Sequence, residues 1–384
     1  MPKYTVLQIR NAAKQDFGGG ERYPIFLSLE LSSLGIENIV FSRSNKLLGF
    51  AQKNNVPVQK SWWWQNQNWS GKNALLFPVY LGWQIVLFFY YLFNIIKLNP
   101  KVVHIQSKDD FIAATFAGKL LGKKIIWTDH ADLKHILKNV SKWYKNPSGH
   151  FVYFASRFAD KIILVSKGEL SEINKQLPEQ SHFNKKATVI HNGVSDQKNL
   201  FKNEKNKMFT FLIASRLVKD KGIGEAIAAF IELNKKHQDT LLIILGDGPD
   251  EGIFKKMSKD NKNIVFLGHQ SAPLEKMSNC DVFLLPTYHE GFSVALVEAS
   301  MLGLPVIATA VGGNIEIITN NDNGLLVPVK DPVKLQKAME KLYQDRNLAK
   351  KLSENNRKKY LDNYIISNIV KNNILPLYNI KKDK

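Results

Sequence analysis

The stretch VFLLPTYHEGFSVALVEASMLGLPVIAT (282–309) contains two short apolar runs, separated by a segment with the composition of a helix. The runs VFLLP (282–286) and PVIAT (305–309) carry no charge, which is typical of strands that are buried on both faces of a parallel sheet. Two parallel strands need a crossover connection, and a helix that begins near Ser293 would supply it. The stretch therefore predicts a β-α-β unit and an α/β fold.

Apolar runs of the same kind recur in two sets along almost the whole chain. The first set is YTVLQI (4–9), NIVFS (38–42), KVVHIQ (101–106), KKIIWT (123–128), KIILVS (161–166) and ATVIHN (187–192), and the second is FTFLIAS (209–215), TLLIIL (240–245), NIVFLG (263–268), VFLLP, PVIAT and GLLVP (324–328). Between the sets, SDQKNLFKNEKNK (195–207) is polar and lysine-rich, which predicts a linker. We therefore expect two Rossmann-like domains, each with a doubly wound parallel sheet, over 1–194 and 208–364.

The composition fits this size and class. At 384 residues the chain is too long for a single core of ordinary size. Its hydrophobic fraction of 44% and charged fraction of 23% are those of a soluble globular protein. The single cysteine, Cys280, excludes an intrachain disulfide bond. Met1 leads directly into a strand-like run without a basic and apolar leader, so we expect a cytoplasmic location.

The net charge of +19 is concentrated in the first half of the chain. Residues 1–200 hold 26 Lys and Arg against 13 Asp and Glu, whereas the remaining residues hold 27 against 21. Such an excess favours an anionic partner, which could be membrane lipid, a phosphate-bearing substrate or nucleic acid. A lysine-rich genome, in which surface lysines are simply common, explains the same numbers. Charge alone therefore does not choose the partner.

One segment departs from the alternating pattern. ALLFPVYLGWQIVLFFYYLFNII (74–96) has 23 residues without a formal charge, which is long enough for a transmembrane helix. A true span would leave strands on opposite sides of a membrane, and the first sheet could not close. We therefore expect a helix that packs on the sheet through one stripe, consisting of Leu81, Ile85, Phe88, Leu92 and Ile95.

Tryptophan is concentrated just before this segment. SWWWQNQNWS (61–70) contains Trp62, Trp63, Trp64 and Trp69, with lysines nearby. Tryptophan together with lysine favours a bilayer interface. One hypothesis is that Trp62–Trp69 and 74–96 dip into the cytoplasmic leaflet as a peripheral membrane contact. The alternative is that they pack internally or against a second subunit.

A glycine run follows the first strand. In DFGGGERY (16–23), Gly18, Gly19 and Gly20 let the backbone approach a ligand closely, and a helix that starts there offers N–H groups to an anion. A simple strand-to-helix turn is the alternative explanation. The spacing is not that of GxGxxG, which argues against a nicotinamide-dependent oxidoreductase.

Two motifs in the second set carry more information. ASRLVKDKGI (214–223) follows a strand and places Arg216 and Lys221 at its carboxyl end, the edge at which doubly wound sheets bind ligands. A forked guanidinium and a compact ammonium suit a diphosphate. A solvated basic loop is the alternative explanation of this motif.

The other motif is a pair of glutamates, Glu290 and Glu298, in an almost uncharged apolar run. If a helix begins near Ser293, its first amides form an anion site beside Glu290. Glu298, in the second turn, can accept two hydrogen bonds from the vicinal hydroxyls of a ribose. Exposed helix carboxylates would be the ordinary explanation, but unpaired carboxylates in such a run are costly.

Together these motifs resemble glycosyltransferase family 4, a large family of retaining enzymes with the GT-B fold. The resemblance covers essentially the whole chain and rests on GGGER, ADKIILVSKGE (159–169), VIHNGV (189–194), SRLVKDKGI, LGDGP (245–249), FLGH (266–269), PTYHEGFSVALVEASMLGLPVIAT and GLLVP. It implies two Rossmann-like domains facing a central cleft. The first, 1–194, would bind the acceptor and the second, 208–364, the nucleotide-sugar, while 365–384 would cross back to the first.

The resemblance also implies a set of nucleotide-sugar contacts. In chain order these are Gly19, Gly20, Arg216, Lys221, Gly291, Phe292, Ser293, Val294 and Glu298. Glu298 would hold the donor ribose, and Arg216 and Lys221 would neutralise the leaving diphosphate. The glycine run would close over the phosphates from the opposite domain, and the turn after Glu290 would contact the sugar and the diphosphate.

The catalytic groups that the resemblance implies are His130, Glu290, Arg216 and Lys221. His130, in WTDHAD (127–132), would lie beside the transferred sugar, and Glu290 would contact the hydroxyls of that sugar. A hydrogen-bonded structural histidine is the alternative for His130. Asp129 and Asp132 flank the histidine and would orient it or meet the acceptor.

The expected reaction is the transfer of a hexose-type sugar from a UDP- or GDP-sugar to a glycan or lipid-linked acceptor, in cell-surface polysaccharide or glycolipid biosynthesis. No metal or other cofactor is expected, because a helix dipole and two cations would take the charge that a divalent ion otherwise takes. The alternatives are a nucleotide-sugar epimerase of the same fold and a basic nucleic-acid-binding protein. The latter gives no reason for the glutamate pair, so no nucleic-acid partner is expected.

Overall fold

The computed structural model describes residues 4–11, 18–61, 77–130, 133–140, 142, 144–178, 180–201, 206–259, 261–270 and 273–380. The chain divides into two compact units. Unit 1 comprises Met1–Asn192 together with Ile366–Lys384, and unit 2 comprises Gly193–Ile365. The polypeptide therefore leaves unit 1 once and returns to it after residue 365.

Unit 1 contains a sheet of seven parallel strands in the order β3-β2-β1-β4-β5-β6-β7. The strands are β1 (Val6–Ile9), β2 (Asn38–Ser42), β3 (Val58–Lys60), β4 (Val102–Ile105), β5 (Lys124–Asp129), β6 (Lys161–Leu164) and β7 (Ala187–Val189). Six of them are predicted runs. β3 was not predicted, because its three residues at the edge of the sheet are partly exposed and carry no apolar pattern.

Unit 2 contains a sheet of six parallel strands in the order β10-β9-β8-β11-β12-β13. The strands are β8 (Phe209–Ala214), β9 (Thr240–Leu245), β10 (Ile264–Gly268), β11 (Val282–Leu285), β12 (Val306–Thr309) and β13 (Leu325–Val327). All six are predicted runs. The prediction of two Rossmann-like α/β domains is confirmed.

Helices connect the strands in both units. They are α1 (Gly19–Ser33), α2 (Asn45–Lys53), α3 (Phe77–Leu98), α4 (Phe111–Leu120), α5 (Leu133–Ile136), α6 (Pro147–Ala155), α7 (Lys167–Asn174), α8 (His182–Lys186), α9 (Ile223–Lys236), α10 (Glu251–Met257), α11 (Pro273–Ser278), α12 (Val294–Leu302), α13 (Asn314–Ile317), α14 (Pro332–Gln344), α15 (Arg346–Asn363), α16 (Ile366–Ile369) and α17 (Leu375–Tyr378). The π-helical turn Val370–Ile374 joins the last two.

In each sheet the chain builds outward from a central strand and then crosses to the other side. The strand order therefore reverses between β1 and β4 in unit 1, and between β8 and β11 in unit 2. Ligands of doubly wound sheets bind beyond the carboxyl ends of the strands at such switch points. The residues that follow these four strands are therefore the first candidates for a site.

The end of the chain packs on the sheet of unit 1. Val370, Ile374 and Tyr378 are buried in a cluster that includes residues of β1 and β4. The hydroxyl of Tyr378 lies 2.6 Å from Nδ1 of His104 in β4, and Oγ1 of Thr128 lies 2.7 Å from Nε2. Burial lowers the pKa of His104 to about 3, so the ring is neutral. This buried polar contact ties the final helices to the middle of the sheet.

The helix predicted from the apolar segment is present as α3, but the predicted packing stripe is only partly correct: Phe88, Leu92 and Ile95 pack in or against the core, whereas Ile85 does not. Of Leu81, Ile85, Phe88, Leu92 and Ile95, only Ile95 is buried, and Ile85 is 59% exposed. The buried residues are Tyr80, Gln84, Leu87, Tyr91, Asn94 and Ile95. The prediction used hydrophobicity alone, whereas the interior of unit 1 offers hydrogen-bond partners to Tyr91 and Asn94. Residues 74–76 and Trp62–Trp69 lie outside the described residues, and the prediction about them stays a prediction.

Candidate active site

At the carboxyl edge of the unit 2 sheet, neighbouring loops are joined by hydrogen bonds. The backbone amide of Tyr288, after β11, donates a hydrogen bond to the carbonyl of Asp220, after β8, at 2.8 Å. Oγ1 of Thr309, at the end of β12, donates to the carbonyl of Thr287 at 2.5 Å. These bonds keep the basic motif after β8 against the acidic motif after β11.

This arrangement brings two of the predicted catalytic residues together. Nζ of Lys221 lies 2.8 Å from Oε2 of Glu290, and both side chains are partly buried. An ion pair with this much solvent contact contributes little to stability, typically below ~1 kcal/mol. Its importance is positional, because it presents an ammonium and a carboxylate side by side at the edge where ligands bind.

Arg216 lies two residues beyond β8 and is exposed. The loop after β9 packs on its neighbours, since the amide of Leu217 donates to the carbonyl of Asp247 at 2.8 Å. Gly246 has a φ of +125°, and a Cβ there would lie 1.9 Å from the carbonyl oxygen of Ser215. Only glycine permits this close approach. The LGDGP motif therefore supports the backbone that carries Arg216.

α12 begins where the sequence predicted a helix. Ser293 is its N-cap residue, and Oγ accepts a hydrogen bond from the amide of Leu296 at 3.3 Å. Helix geometry leaves the amides of Val294 and Ala295 without an intrahelical carbonyl, at the positive end of the helix dipole. The Ser293 hydroxyl accepts in this cap, so its own O–H can still donate to an anion beside these backbone amides.

Glu298 lies in the second turn of α12 and is only 3% exposed. Apart from Glu298, the helix VALVEASML consists of apolar or small residues, and nearly all of them are buried. An acidic side chain in such surroundings costs free energy unless the carboxylate has polar partners. Glu298 is therefore not an exposed helix carboxylate, and its role in binding a ribose stays a prediction.

The turn between Glu290 and α12 is anchored by Phe292. The ring is 6% exposed and lies 5.8 Å from the ring of Tyr364, at an angle of 60°. The side chain therefore points into unit 2, which leaves the backbone of Gly291 and Phe292 as the part that a ligand could meet. The backbone role that the resemblance implies for these two residues stays a prediction.

Two glycines after β12, Gly312 and Gly313, support the same turn and were not predicted as site residues. Gly312 has a φ of +47°, and a Cβ there would lie 1.7 Å from the carbonyl oxygen of Glu290. A Cβ on Gly313 would lie 2.3 Å from the carbonyl oxygen of Gly291. The signal was present as VGG (311–313) after a strand, but its partner lies in another loop, which spacing does not reveal.

In unit 1 the glycine run opens α1, as predicted. α1 begins at Gly19, and the amide of Gly18 donates to Oε2 of Glu21 at 2.8 Å. Oε1 of Glu21 accepts from Nη2 of Arg10, which follows β1, at 2.7 Å. Burial acts to raise the pKa of Glu21, but the charge of Arg10 and the bond from Gly18 outweigh it and leave that pKa lowered. A charged carboxylate therefore ties the glycine run to the end of β1.

His130 lies close to this run. A Cβ on Gly20 would lie 3.5 Å from Cβ of His130 and 3.4 Å from Nη2 of Arg10, so the three residues are in contact. The His130 ring packs edge-on against Tyr23, with the centroids 5.8 Å apart. Burial, together with the charge of Arg10, holds the pKa of His130 well below its usual range. The imidazole is therefore neutral at neutral pH.

A buried chain of side-chain amides fixes the tautomer of His130. Nε2 of Gln8 donates to Oγ of Ser28 at 2.7 Å, and Nε2 of Gln106 donates to Oε1 of Gln8 at 2.7 Å. Oε1 of Gln106 therefore faces Nε2 of His130, 3.3 Å away. Because an amide oxygen can only accept, Nε2 carries the hydrogen and donates the bond. Nδ1 is then an unprotonated acceptor, buried and without a hydrogen-bond partner among the residues that the structure describes.

The two glutamines of this hydrogen-bonded series, Gln8 and Gln106, were not predicted as site residues. Gln8 and Gln106 are 98 residues apart in the sequence, and each is the single side-chain amide of its strand-like run. That lone amide is the only sequence signal. Its partner follows from the strand order, because β1 and β4 are neighbours in the sheet.

Of the two aspartates that flank His130, the structure describes only Asp129. Asp129 is buried, and its Oδ2 accepts a hydrogen bond from the amide of Leu133, the first residue of α5, at 2.9 Å. Asp129 therefore shapes the turn that carries His130. Asp132 lies outside the described residues. Within the described part of the chain, no group of three or more His, Cys, Asp or Glu is placed to hold a metal ion.

Known proteins match both halves of the chain. A family model described as Glycosyltransferase Family 4 matches residues 17–198, and one described as Glycosyl transferases group 1 matches residues 195–359. The chain is 31% identical to an uncharacterized glycosyltransferase, MJ1178, of Methanocaldococcus jannaschii over 70% of this chain and 74% of that protein. It is 30% identical to the capsular polysaccharide biosynthesis glycosyltransferase CapM of Staphylococcus aureus over 60% of this chain and 66% of CapM.

Among solved structures, HepE of Anabaena in complex with UDP-glucose has the same fold. The TM-score is 0.76 at 16% identity, over 98% of this chain and 99% of that chain. Two Rossmann-like domains and these matches define a glycosyltransferase of the GT-B type. The chain belongs to glycosyltransferase family 4, the family that its motifs resemble.

Proposed function

We propose that this enzyme transfers a hexose-type sugar from a UDP- or GDP-sugar to a glycan or lipid-linked acceptor, with retention of configuration at the anomeric carbon. The observation that carries the proposal is the edge of the unit 2 sheet. There the Lys221 ammonium lies against Glu290, which is three residues before the N-cap Ser293 of α12. The buried carboxylate of Glu298 follows in the second turn of that helix. A nucleotide diphosphate-sugar needs these three kinds of group for its charge, its phosphate oxygens and its ribose.

In unit 2 we assign the nucleotide to α12 and the loop after β8. Glu298 would accept hydrogen bonds from the ribose hydroxyls, and the first amides of α12 would meet the diphosphate. Lys221 and Arg216 would neutralise it, with Lys221 turning from Glu290 to a phosphate oxygen. The ion pair is partly solvated, so this exchange of partners costs little. The UDP-glucose in the HepE complex supports a donor of this class.

In unit 1 we assign His130 to a hydroxyl of the transferred sugar. Its Nε2 faces Gln106, so Nδ1 is the nitrogen left to accept a hydrogen bond. Because Nδ1 is buried, the loop that carries His130 would have to shift for the sugar to reach it. His130 would therefore orient the sugar, and the glycine run beside it would let the donor approach the backbone closely.

The proposed transfer breaks one bond at the anomeric carbon and forms one. The bond from this carbon to the diphosphate oxygen breaks, and the acceptor hydroxyl oxygen bonds to the same face of the sugar. The acceptor proton passes to the departing diphosphate. Lys221, Arg216 and the α12 dipole would stabilise the negative charge that grows there, which is why we propose a transfer that needs no metal.

We place the reaction in cell-surface polysaccharide or glycolipid biosynthesis. The name of CapM refers to capsular polysaccharide biosynthesis, which supports a glycan acceptor for a related chain. Nucleotide release in the presence of free and lipid-linked glycans would identify the acceptor class. Product anomers read by NMR would test retention, and an inverted anomeric centre would contradict it.

A thermal-shift panel of UDP-, GDP-, ADP- and dTDP-sugars tests the donor assignment. A ligand at about 100 times its Kd stabilises the folded protein by about 2.7 kcal/mol. We expect the nucleotide-sugars of one base to stabilise the wild type but not Glu298→Gln. This substitution keeps the size of the side chain and removes its charge. Glu354→Gln, on the exposed side of α15, is the matched control and should respond like the wild type.

The same panel separates a folding defect from a binding defect. The melting temperature of Glu298→Gln without ligand reports its stability alone. If folded wild-type protein shows no shift with any nucleotide-sugar, the proposal fails. Release of an epimerised nucleotide-sugar without any acceptor would favour an epimerase in its place.

A further inference from the structure

α3 is inverted relative to an ordinary surface helix. Four of the six residues that it buries have polar groups, namely Tyr80, Gln84, Tyr91 and Asn94. Apart from Lys97 in the last turn, its exposed large side chains are apolar and consist of Val79, Trp83, Ile85, Val86, Phe89, Phe93 and Ile96. A surface helix of a soluble protein normally buries its apolar stripe and exposes its polar one. The outward face of α3 therefore needs its own explanation.

Hydrogen bonds fix α3 in this orientation. The hydroxyl of Tyr91 donates to Oδ1 of the buried Asp110 at 2.5 Å. Oδ1 of Asn94 accepts from Nε2 of Gln59 in β3 at 3.1 Å. Rotating α3 to bury its apolar face would break both contacts and remove a partner from a buried carboxylate, which is costly. The exposed apolar face is therefore a consequence of the packing of unit 1.

The exposed side chains form one continuous face. At about 100° per residue, the seven fall within an arc of about 160°, whose centre lies roughly opposite the buried stripe. Phe89 and Phe93, near its middle, are 61% and 66% exposed. From Val79 to Ile96 the face is about 26 Å long at about 1.5 Å per residue. This is a surface of the kind that binds a partner.

The exposed charged residues at the end of α3 and directly after it are positive, whereas the nearby Asp110 is buried against Tyr91. Residues 38–108 contain eight Lys and Arg and neither Asp nor Glu. Lys97, in the last turn of α3, and Lys101, just beyond it, are exposed. Two copies of the chain would bring these like charges together, which disfavours a second copy as the occupant. An anionic lipid surface offers both an apolar layer and the opposite charge.

We propose that the exposed face of α3 docks unit 1 on the surface of an anionic bilayer. In the described part of the chain, α3 is the one helix whose length and composition would allow a span. However, β3 precedes it and β4 follows it, and both strands belong to one sheet, which a crossing helix would divide. α3 therefore lies in the plane of the interface, with Lys97 at the headgroups. The inference does not depend on the donor chemistry proposed above, and it favours a lipid-linked acceptor.

Co-sedimentation with large unilamellar vesicles tests the docking. We expect the wild type to bind phosphatidylcholine vesicles that contain about one third phosphatidylglycerol at least about tenfold better than pure phosphatidylcholine vesicles at low salt. Replacing Phe89 and Phe93 by serine should lower the partition coefficient at least about tenfold, because two aromatic rings lose their contact with the acyl region. Val333→Ser with Leu361→Ser, two exposed apolar residues of unit 2, is the matched control and should bind like the wild type.

Three results would overturn the docking. The first is equal recovery of the wild type and of Phe89→Ser/Phe93→Ser with anionic vesicles. The second is a wild-type dimer that this double substitution dissociates, without vesicle binding. The third is protein that alkaline carbonate does not release, which would indicate a span. Melting temperatures should be equal without vesicles, and donor thermal shifts on the same preparations separate failure here from failure of the proposed function.

Discussion

The two sheets place polar groups at their carboxyl edges by different means. In unit 2, neighbouring loops hold one another, as the Lys221–Glu290 ion pair and the close approach of Gly312 to the Glu290 carbonyl show. In unit 1, His130 is held by a buried side chain: Gln106 contacts His130 and is itself hydrogen-bonded to Gln8 in β1. One edge is therefore built from exchangeable surface contacts and the other from a fixed internal chain.

This difference fits two kinds of ligand group. A partly solvated ion pair can exchange one anionic partner for another, which suits the binding of a diphosphate. A buried amide chain cannot rearrange without leaving polar atoms unpaired, which suits the orientation of a neutral hydroxyl. We therefore expect loss of the unit 2 ion pair to affect the donor diphosphate, loss of the glycine packing in unit 2 to affect stability, and changes in the unit 1 amide chain to affect the orientation of the sugar.

The largest expected effect comes from the loop packing of unit 2. Gly312→Ala combines a positive φ with a Cβ that would lie 1.7 Å from a backbone carbonyl, so the Glu290 turn must move. We expect a loss of about 4 kcal/mol in the free energy of unfolding, at the upper end of single substitutions. Gly35→Ala is the matched control, since Gly35 has a φ of +75° and no atom within 4 Å of the added Cβ.

Gly35→Ala should lower the free energy of unfolding by only about 1 kcal/mol, which is the cost of a left-handed backbone for a residue with a Cβ. Thermal or chemical unfolding of the two variants measures the difference. Equal costs would mean that the close approach at Gly312 contributes nothing, and that the edge of unit 2 is not held together by loop packing.

The next effect is on catalysis. Lys221→Met removes a cation that would stabilise the departing diphosphate, and we expect kcat to fall about 100-fold, or about 2.7 kcal/mol. Stability should change by less than about 1 kcal/mol, because the ion pair is partly solvated. Lys236→Met, which removes another lysine paired with a glutamate in unit 2, should leave kcat unchanged. A variant of Lys221 with normal turnover would remove this lysine from the proposed mechanism.

Acidification should weaken unit 1 through its buried histidine. His104 has a pKa of about 3 in the folded chain, against about 6.5 when unfolded. Below pH 6.5 the unfolded chain therefore binds a proton that folded His104 does not, and stability falls as the pH falls towards 3. The contribution of this residue is a loss of about 2 kcal/mol at pH 5. Unfolding of the wild type and His104→Asn at pH 7.5 and pH 5 checks it, and identical pH dependence in the two proteins would refute it.

The smallest expected effect concerns the tautomer of His130. Gln106→Met removes the acceptor that faces Nε2, so the ring can present either nitrogen, and we expect kcat/KM for the donor to fall about tenfold, or about 1.4 kcal/mol. Gln84→Met is the control, since the amide of Gln84 is also buried but has no hydrogen-bond partner among the described residues. Nitrogen NMR of the imidazole should show one tautomer in the wild type and a mixture in Gln106→Met. An unchanged spectrum would remove the positioning role.

The strands were predictable because each is a continuous apolar run between turn residues. β3 was not, since a short edge strand such as VQK has no such pattern. The orientation of α3 could not be predicted from the sequence either. Its buried Asn94 and Tyr91 are hydrogen-bonded to Gln59 and Asp110, which lie in other parts of the chain. Hydrophobicity within the helix carries no information about those partners.

The candidate site shows the same limit. Lys221, Glu290, Ser293 and Glu298 stand out by local spacing beside predicted strands and a predicted helix. Gly312 and the glutamine chain of unit 1 act through residues of other loops and strands. Their partners become apparent only once the strand order is known.

Hydrogen exchange with and without the nucleotide-sugar that gives the largest thermal shift tests most directly whether unit 2 binds the donor. The account predicts slower exchange in the loops at 216–221, 246–248, 290–295 and 312–313, and no such change in Glu298→Gln. Unchanged exchange in all four loops of the wild type at saturating ligand would contradict it.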